Sequence, residues 1–410
     1  MTDIPAVTLG DLAQLQVGFA FKSAEFSSAP QSPRLLRGDN IGQGTIRWDR
    51  AVHWDGEADS RYCLTTGDVV LAMDRPWIES GLKFASVYEE DLPAFLVQRV
   101  ARLRAKQGIN QRYLHYLIAS PEFTGHILSV QTGTGIPHIS GSQILEFPTA
   151  YRSSDEQRAI AEVLGALDDK IAANNRTSGI ASDLAASLFQ STIGDPDTTT
   201  QTSIRALATE GVLTFGDGYR TKRAEHGQPG MQIVRAGDIR NGLLVLSGDD
   251  FVSDDYSDKV GAKICRPGDI VLTTKGTVGR VAIVQDNIRS SVYSPQLCYF
   301  RVAKDHGWLQ PWLAEWFCSA DRVRQTDVAM HKSDMAPYVN LQDVGSLQVP
   351  IPAERQHNLV MERLSSLQSL GHVIAQENEV LTTTRNELLP LLMSGKLRVK
   401  DAEKKVEAIA

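Results

Sequence analysis

The sequence predicts an α+β protein with two tandem modules and two long antiparallel coiled-coil helices, related by a pseudo-two-fold repeat. Two observations predict this fold. Four short motifs recur in the same order about 200 residues apart, and a long heptad pattern of apolar residues follows each set. The repeat is longer than the roughly 20–50 residues of a solenoid unit, so it indicates a duplicated domain.

The repeated motifs are individually short but share one order and nearly one spacing. They are residues 36–41 with 234–239, 67–71 with 268–272, 137–140 with 337–340, and 156–158 with 355–357. Four such matches are hard to assign to chance. Two similar modules on one chain suggest a protein that contacts two similar partners at once.

Composition is that of an ordinary globular protein. The 410 residues favour two or more domains, and 42% are hydrophobic while 22% are charged. No run reaches the ~18 apolar residues of a membrane span, and the N-terminus lacks signal-peptide features, so we expect a cytoplasmic protein without membrane contact. The net charge of −7 argues against nucleic-acid binding over the whole surface but allows a basic groove. The cysteines, Cys63, Cys265, Cys298 and Cys318, lack metal-ligand spacing and are interpreted as reduced, buried thiols.

Residues 1–151 and 195–352 are predicted to be the two modules. Short β-type runs, at 68–72 and 95–97 and again at 270–272 and 280–284, alternate with turn-forming residues. Helical patterns cover 111–118 in the first module and 309–317 in the second. Both modules therefore combine strands and helices.

Residues 152–194 and 353–398 are predicted to be long helices, and 399–410 a tail. Their apolar positions alternate by four and three, as in a coiled coil. The predicted interface residues are Ile160, Leu164, Leu167, Ile171 and Leu188 in the first helix, and Leu364, Leu367, Ile374, Leu381 and Leu388 in the second. Ser154 or Asp155 is expected to cap the first helix, and Pro390 to kink or end the second. A helical hairpin that serves only for dimerisation is the alternative.

The sequence contains none of the motifs expected of an enzyme. A phosphate-binding G-x-x-x-x-G-K-[ST] loop, a dinucleotide-binding glycine pattern, H-E-x-x-H and G-x-S-x-G are all missing, as is the aromatic-ended Asn/Asp-Pro-Pro tetrapeptide of amino-methyltransferases. Catalysis by this chain alone is therefore not expected.

Several loops contain the residue types that recognise nucleic acid. Glycines allow close approach to phosphate, while Lys and Arg neutralise phosphates or pair with guanine edges. The candidate DNA-binding residues are Arg99, Thr134 and His138 in the first module, and Tyr219, Arg220, Lys222, Lys275, Thr277, Arg280, Lys332 and Tyr338 in the second.

Simpler interpretations exist for some of these features. Arg99, Arg102 and Arg104 alternate as the solvated face of a strand would. The Gly-Asp pairs at 67–68 and 268–269 are interpreted as turns before buried strands. A loop that needed only turn geometry would not require both Lys275 and Arg280, so that loop is the stronger candidate.

The order of these features resembles the specificity subunits of type I restriction–modification systems over nearly the whole chain. The resemblance rests on the helix openings at 155–161 and 354–356, the run 160–171, and the ending 388–397. Within the modules it rests on the Gly-Asp motifs and on 135–140, which is similar to a Gly-Ile-Pro-His-Ile loop of that family. The second copy departs from that loop at 336–340.

The resemblance implies two target-recognition domains, each of which binds one half of a split, asymmetric sequence in double-stranded DNA. It implies that the helices set the spacer between the halves and bind two methyltransferase subunits. Two ATP-driven translocating restriction subunits would complete the complex. S-adenosylmethionine, ATP and Mg are then expected on those partners, with no cofactor, metal or active site on this chain.

Two rival hypotheses remain. One is the recognition subunit of a methylation-only defence system, which differs only in its neighbouring subunits. The other is a coiled-coil scaffold with two protein-binding modules.

Overall fold

The computed structural model describes residues 6–27, 29–133, 135–193, 199–240, 242–330 and 338–407, without the side chains of 354–358. The chain divides into two compact units. Unit 1 comprises Met1–Ala173 and Glu377–Ala410, and unit 2 comprises Asn174–Gln376. Each unit is α+β and includes half of each long helix.

Unit 1 contains two four-stranded sheets, ordered β2-β11-β6-β9 and β10-β4-β5-β3, and the small pairs β1-β12 and β7-β8. Its strands are β1 (Ala6–Thr8), β2 (Ala13–Val17), β3 (Phe26–Ser27), β4 (Arg34–Leu36), β5 (His53–Trp54), β6 (Val69–Ala72), β7 (Trp77–Ile78), β8 (Gly81–Leu82), β9 (Phe84–Ser86), β10 (Ala94–Leu96), β11 (Val100–Ala105) and β12 (Pro148–Ala150). Its short helices are α1 (Leu9–Leu12), α2 (Gln111–Ala119), α3 (Pro121–Val130) and α4 (Gly141–Leu145).

Unit 2 contains sheets ordered β14-β22-β19-β20 and β18-β15-β21, and the pairs β13-β23 and β16-β17. Its strands are β13 (Thr199–Ser203), β14 (Leu213–Asp217), β15 (Gly230–Val234), β16 (Ile239–Arg240), β17 (Leu243–Leu244), β18 (Phe251–Ser253), β19 (Ile270–Thr273), β20 (Val281–Ile283), β21 (Ser291–Tyr293), β22 (Leu297–Val302) and β23 (Gln348–Pro352). Its short helices are α6 (Ile204–Thr209), α7 (Ser257–Val260), α8 (Leu309–Cys318), α9 (Ala320–Met330) and α10 (Leu341–Ser346).

The main sheet has the same topology in both units. It is a four-stranded antiparallel sheet in each. One of its inner strands, β6 in unit 1 and β19 in unit 2, has all four residues buried, and we call it the central strand. Each unit also contains one parallel strand pair, β10 with β4 and β15 with β21. The repeat found in the sequence is therefore a repeat of fold, and the predicted strands and short helices are present with small shifts at their ends.

The Gly-Asp pairs are turns, as predicted. Gly67 has φ of 88° and Gly268 has φ of 79°, a left-handed conformation that glycine adopts without a steric penalty. Each turn leads directly into the buried central strand of its sheet.

The aspartates of these turns make bidentate ion pairs with arginines of the strand next to the central strand, β11 in unit 1 and β22 in unit 2. Asp68 accepts from Arg104 Nε at 2.5 Å and Nη2 at 2.9 Å. Asp269 accepts from Arg301 Nε at 2.7 Å and Nη2 at 2.6 Å, and also from the Tyr293 hydroxyl at 2.7 Å. Both carboxylates are about 1–2% exposed, so these are buried, charge-assisted pairs.

The interpretation of Arg102 and Arg104 as a solvated strand face is wrong. Arg104 is held by the turn, and Arg102 is 8% exposed, with Nη1 donating to the carbonyl oxygens of Arg61 and Cys63. A single sequence could not show these partners because they lie about 40 residues away.

The long helices are α5 (Ser154–Ile193) and α11 (Glu354–Met393), and α12 (Val399–Glu407) follows. In unit 1, Leu164 and Leu167 belong to one buried cluster with Leu381 and Leu388, and Ile160 joins them. In unit 2, Ala185, Phe189, Met361 and Leu364 lie in the core, while Leu188 and Leu367 pack on it. Ile374 is also buried and Ile171 is half-buried, so the heptad pattern correctly predicts the packed face. No helix in the described parts of the chain is both long and apolar enough to cross a membrane.

The predicted helix ends need two corrections. The N-terminal cap of α5 is Ser153, not Ser154 or Asp155, because Ser153 and Glu156 form a reciprocal capping box at 3.1 and 3.3 Å. Of the two predicted effects of Pro390, a kink or an end of the helix, the second is wrong, since α11 continues to Met393.

Each module is tied to its helical half, by polar contacts in unit 1 and by an aromatic contact in unit 2. In unit 1, the buried Gln157 side chain accepts from Asn110 N–H at 2.9 Å, and the Tyr116 hydroxyl donates to Asp168 at 2.6 Å. In unit 2, Phe189 lies 4.5 Å from Trp312 between ring centroids. The helices are therefore part of both cores.

We predict that Asp269→Ala destabilises unit 2 by roughly 3–5 kcal/mol, because it leaves the Arg301 guanidinium unpaired in a buried site. Arg324→Ala removes an exposed i,i+3 ion pair and should cost under about 1 kcal/mol. Urea unfolding of both variants measures the difference. Equal losses would contradict the assigned role of the buried pair.

We predict that unit 1 loses stability in mild acid through His115, whose Nδ1 lies 2.8 Å from Ser86 Oγ. Burial lowers the pKa of His115 from 6.5 to about 4. Between these values the unfolded chain binds a proton that the folded chain does not, so stability is full above about pH 6.5 and falls as the pH decreases toward 4. The loss is up to about 3 kcal/mol. His115→Gln should flatten this slope in urea unfolding at pH 7 and 5, and an unchanged slope would refute the assignment.

Candidate nucleic-acid interface

The loop between β19 and β20 in unit 2 is shaped by one buried threonine. Thr273 Oγ1 donates to the Thr277 carbonyl oxygen at 2.5 Å and accepts from Arg280 N–H at 2.9 Å. Gly276 and Gly279 have φ of 78° and 96°. Thr273 is fully buried, whereas Thr277 and Arg280 are exposed, so the loop projects these two side chains into solvent.

This loop forms one wall of a cleft of about 500 Å³. The charged and amide side chains that line it are Arg235, Asp238, Arg240, Lys275 and Gln296. Asp238 is 5% exposed and its carboxylate accepts from Arg235 N–H at 2.8 Å and Ser247 Oγ at 2.9 Å. Asp238 is buried and hydrogen-bonded, and Arg235 forms an ion pair with Asp250, so Arg240 and Lys275 leave the open surface of the cleft positive, which suits a polyanion.

Three loops meet at the edge of this cleft. Lys275 pairs with Tyr338 as an isolated antiparallel bridge. Thr274 N–H donates to the Gln296 carbonyl oxygen at 2.8 Å, and Thr274 accepts from Val339 N–H at 2.9 Å. We call this arrangement the three-loop junction of unit 2; its outer side chains are Lys275, Gln296 and Tyr338.

Unit 1 has the same three-loop junction. Asp74 pairs with His138 as an isolated antiparallel bridge. Met73 N–H donates to the Arg99 carbonyl oxygen at 2.9 Å, and Met73 accepts from Ile139 N–H at 2.9 Å. The hydrogen bonds match those of unit 2 one for one, so Asp74, Arg99 and His138 occupy the positions of Lys275, Gln296 and Tyr338.

The outer side chains differ completely between the two junctions. In unit 1, Asp74 accepts from Arg99 Nη1 at 2.5 Å and from His138 Nδ1 at 2.6 Å. In unit 2, the three positions are a lysine, an amide and a tyrosine, and Tyr338 is 40% exposed. The backbone is therefore a common frame for two different sets of hydrogen-bonding groups.

Tyr219 does not occupy an exposed recognition position. It is 9% exposed and its hydroxyl donates to Glu225 at 3.1 Å. Hydrogen bonds from the Lys222 backbone and from the Lys259 ammonium lower the pKa of Glu225 to about 2. Tyr219 is thus a packing residue. The Arg220 and Lys222 side chains are exposed, but they do not line the cleft.

Thr134 and Lys332 lie outside the described residues. Among the residues that are described, no group of three or more His, Cys, Asp and Glu side chains is placed to hold a metal ion.

Sequence reasoning missed Asp74, Arg235, Arg240 and Gln296. A signal was available for Asp74, because it lies 201 positions before Lys275, the spacing of the Gly-Asp repeat. Arg235 lies within a repeated motif that served only as evidence of duplication. Gln296 could not be found this way, because it lies outside the repeated motifs and its neighbours in the sequence do not show that its loop meets two other loops.

Comparison with known proteins finds sequence similarity to one family, strongest in the first part of the chain. Residues 1–179 match the model of the type I restriction modification DNA specificity domain. The chain is 33% identical over 176 residues to the EcoAI type I restriction enzyme specificity subunit of Escherichia coli, an alignment that spans 41% of this chain and 28% of that subunit. It is 21% identical over 412 residues to the EcoBI specificity subunit of Escherichia coli, spanning 93% of this chain and 82% of that one.

A solved structure supports the fold over nearly the whole chain. The type I restriction–modification S subunit from M. genitalium superimposes with a TM-score of 0.59 at 15% identity, covering 96% of this chain and 97% of that one. Together these matches confirm the family resemblance predicted from the sequence.

We predict that Thr273→Val loosens the β19–β20 loop without unfolding the sheet. The change removes the acceptor for Arg280 N–H, and a buried hydrogen bond of about 1.4 kcal/mol corresponds to roughly tenfold faster amide exchange at Arg280. Thr277→Val, at an exposed position, is the control. Unchanged exchange in Thr273→Val would show that the glycines alone define the loop.

Proposed function

We propose that this chain, whose residues 1–179 belong to the type I restriction modification DNA specificity domain family, is the DNA specificity subunit of a type I restriction–modification complex. Each unit recognises one half of a bipartite, asymmetric target in double-stranded DNA. The observation that supports this most directly is the three-loop junction, which both units share in backbone and differ in at every outer side chain.

A common frame with different side chains is what recognition of two unlike half-sites requires. The shared backbone places the outer side chains of each junction at the same position relative to the duplex. The hydrogen-bond donors and acceptors of these side chains then select the bases. Identical side chains in the two junctions would favour a symmetric target. The proposed target is therefore asymmetric.

In unit 2 the cations divide into two roles. Lys275 is half-buried at the cleft wall, where an ammonium group neutralises a phosphate. Arg280 is exposed at the end of the loop, and its planar guanidinium can pair with both acceptors of a guanine. Gln296 adds an amide, the group that pairs with adenine.

The long helices provide the surfaces for partner subunits and the distance between half-sites. Two helices of 40 residues span about 60 Å each. In unit 2 they form an apolar groove of about 520 Å³ lined in part by Leu184, Leu188, Leu359 and Leu367. Leu184 and Leu359 are more than half exposed, which is typical of an interaction surface.

The partners that fit this role are two methyltransferase subunits and two restriction subunits that translocate DNA. The methyltransferase must flip an adenine out of the duplex. S-adenosylmethionine, ATP and Mg belong to those subunits under this proposal, and this chain is not itself an enzyme.

The test is methylation of a duplex library, randomised over both half-sites, by the chain assembled with its methyltransferase. We expect a bipartite motif for the wild-type complex. Arg280→Gln should relax one base pair of one half-site by about 1–3 kcal/mol, while Lys275→Gln should weaken all sequences alike and lower the salt slope by about one.

Arg324→Gln, which removes an exposed cation of unit 2 outside the residues that line the cleft, is the matched control and should change neither property. If Arg280→Gln and Lys275→Gln also left both unchanged, the β19–β20 loop would have no part in recognition. Absence of any sequence-dependent methylation by the wild-type complex would favour the protein-binding scaffold instead.

A further inference from the structure

Asp74 joins three loops of unit 1 through its two carboxylate oxygens. Oδ2 accepts from Arg99 Nη1 at 2.5 Å, and Oδ1 accepts from His138 Nδ1 at 2.6 Å. The Asp74 side chain is 27% exposed, while those of Arg99 and His138 are 63% and 41% exposed. The acid is therefore the inner member of the group, and its two partners face solvent.

The backbone on both sides of this contact is held in an uncommon conformation. Among the described residues, Arg75 and Arg99 are the two residues other than glycine with positive φ, at 45° and 64°. Arg75 N–H donates to the Pro137 carbonyl oxygen at 2.7 Å, which ties this segment to the loop of His138. Such conformations persist where the surroundings determine them, and they concentrate at functional sites.

The contact determines which hydrogen-bonding groups remain free. An ionised carboxylate only accepts, so Nδ1 of His138 must carry the proton. In the Nδ1–H tautomer the other ring nitrogen, Nε2, is an acceptor, and it lies on the side of the imidazole away from Asp74. Arg99 still has Nε and Nη2 as donors, since Asp74 occupies only Nη1.

The charge state of Asp74 agrees with this assignment. Burial raises the pKa of Asp74, but the hydrogen bonds from Arg99 and His138 outweigh it, and the pKa lies below its ordinary value. Asp74 is therefore ionised at neutral pH.

We propose that Asp74 is a positioning residue that presents a donor, Arg99, beside an acceptor, Nε2 of His138, to the major groove of DNA. Arg99 then selects a guanine, and His138 selects a neighbouring base with an exocyclic amino group, adenine or cytosine. This inference rests on the proposed function. It assigns to unit 1 a chemistry that unit 2 lacks, since Lys275 stands in the place of Asp74.

The test is the same library methylation, carried out with Asp74→Asn in the full chain and its methyltransferase. An asparagine amide can donate to Nδ1, which moves the ring proton to Nε2 and makes it a donor. At the base that His138 contacts, we expect the preference to change from adenine or cytosine toward guanine or thymine, whose exposed oxygen atoms accept hydrogen bonds. The second half-site should stay the same, and Arg280→Gln serves as the reverse control, which relaxes one base pair of the second half-site and leaves the first half-site unchanged.

An Asp74→Asn complex with wild-type base preference in the first half-site would overturn the proposal. If that variant fails to assemble, Arg99→Gln and His138→Gln, at exposed side chains, replace it. Each should lower the preference at one base pair of the first half-site by tenfold or more, and retention of both preferences would overturn the proposal. A wild-type complex without any bipartite preference would instead refute the proposed function, so the two failures are distinguishable.

Discussion

The bidentate Asp–Arg pair behind each Gly-Asp turn is the interaction on which the main sheet of each unit depends. It joins the start of the central strand to the end of its neighbour, through Asp68 and Arg104 in unit 1 and Asp269 and Arg301 in unit 2. The loop that enters the three-loop junction leaves from the other end of that same central strand. The position of the loop is therefore only as well defined as the strand, and a buried charge pair with two hydrogen bonds resists sliding of one strand past the other.

The backbone and the outer side chains of the three-loop junction have different roles, which explains how one fold can present different hydrogen-bonding groups. Bonds between backbone groups hold the three-loop junction, so its outer side chains can change without loss of the frame. Thr273, which shapes the β19–β20 loop, is buried, whereas Arg280, which we propose contacts DNA, is exposed. Under the proposed function, specificity and stability therefore reside in different residues of the same few loops.

The sequence predicted the fold well because its strongest signals are periodic. Heptad spacing identified the packed residues of both helices, and the repeat identified the duplicated modules and their Gly-Asp turns. It predicted the site less well. The strand pattern predicts a solvated Arg104 and the cation-rich loop predicts an exposed Tyr219, but their partners, Asp68 and Glu225, are determined by folding rather than by local pattern. The repeat could have identified Asp74, but not its partners, which are 25 and 64 residues away.

Unit 1 consists of two segments that are separated in the chain by the whole of unit 2, and this affects its folding during biosynthesis. Leu164 and Leu167 pack in one cluster with Tyr113 and Tyr116, which precede them in the chain, and with Leu381 and Leu388, which emerge from the ribosome long afterwards. Unit 2 is one continuous segment and is complete first. The nascent chain therefore exposes an apolar helical stripe for the time needed to translate about two hundred codons, roughly 10–40 seconds at ordinary elongation rates. That interval makes the first half of α5 a natural substrate for chaperones during synthesis.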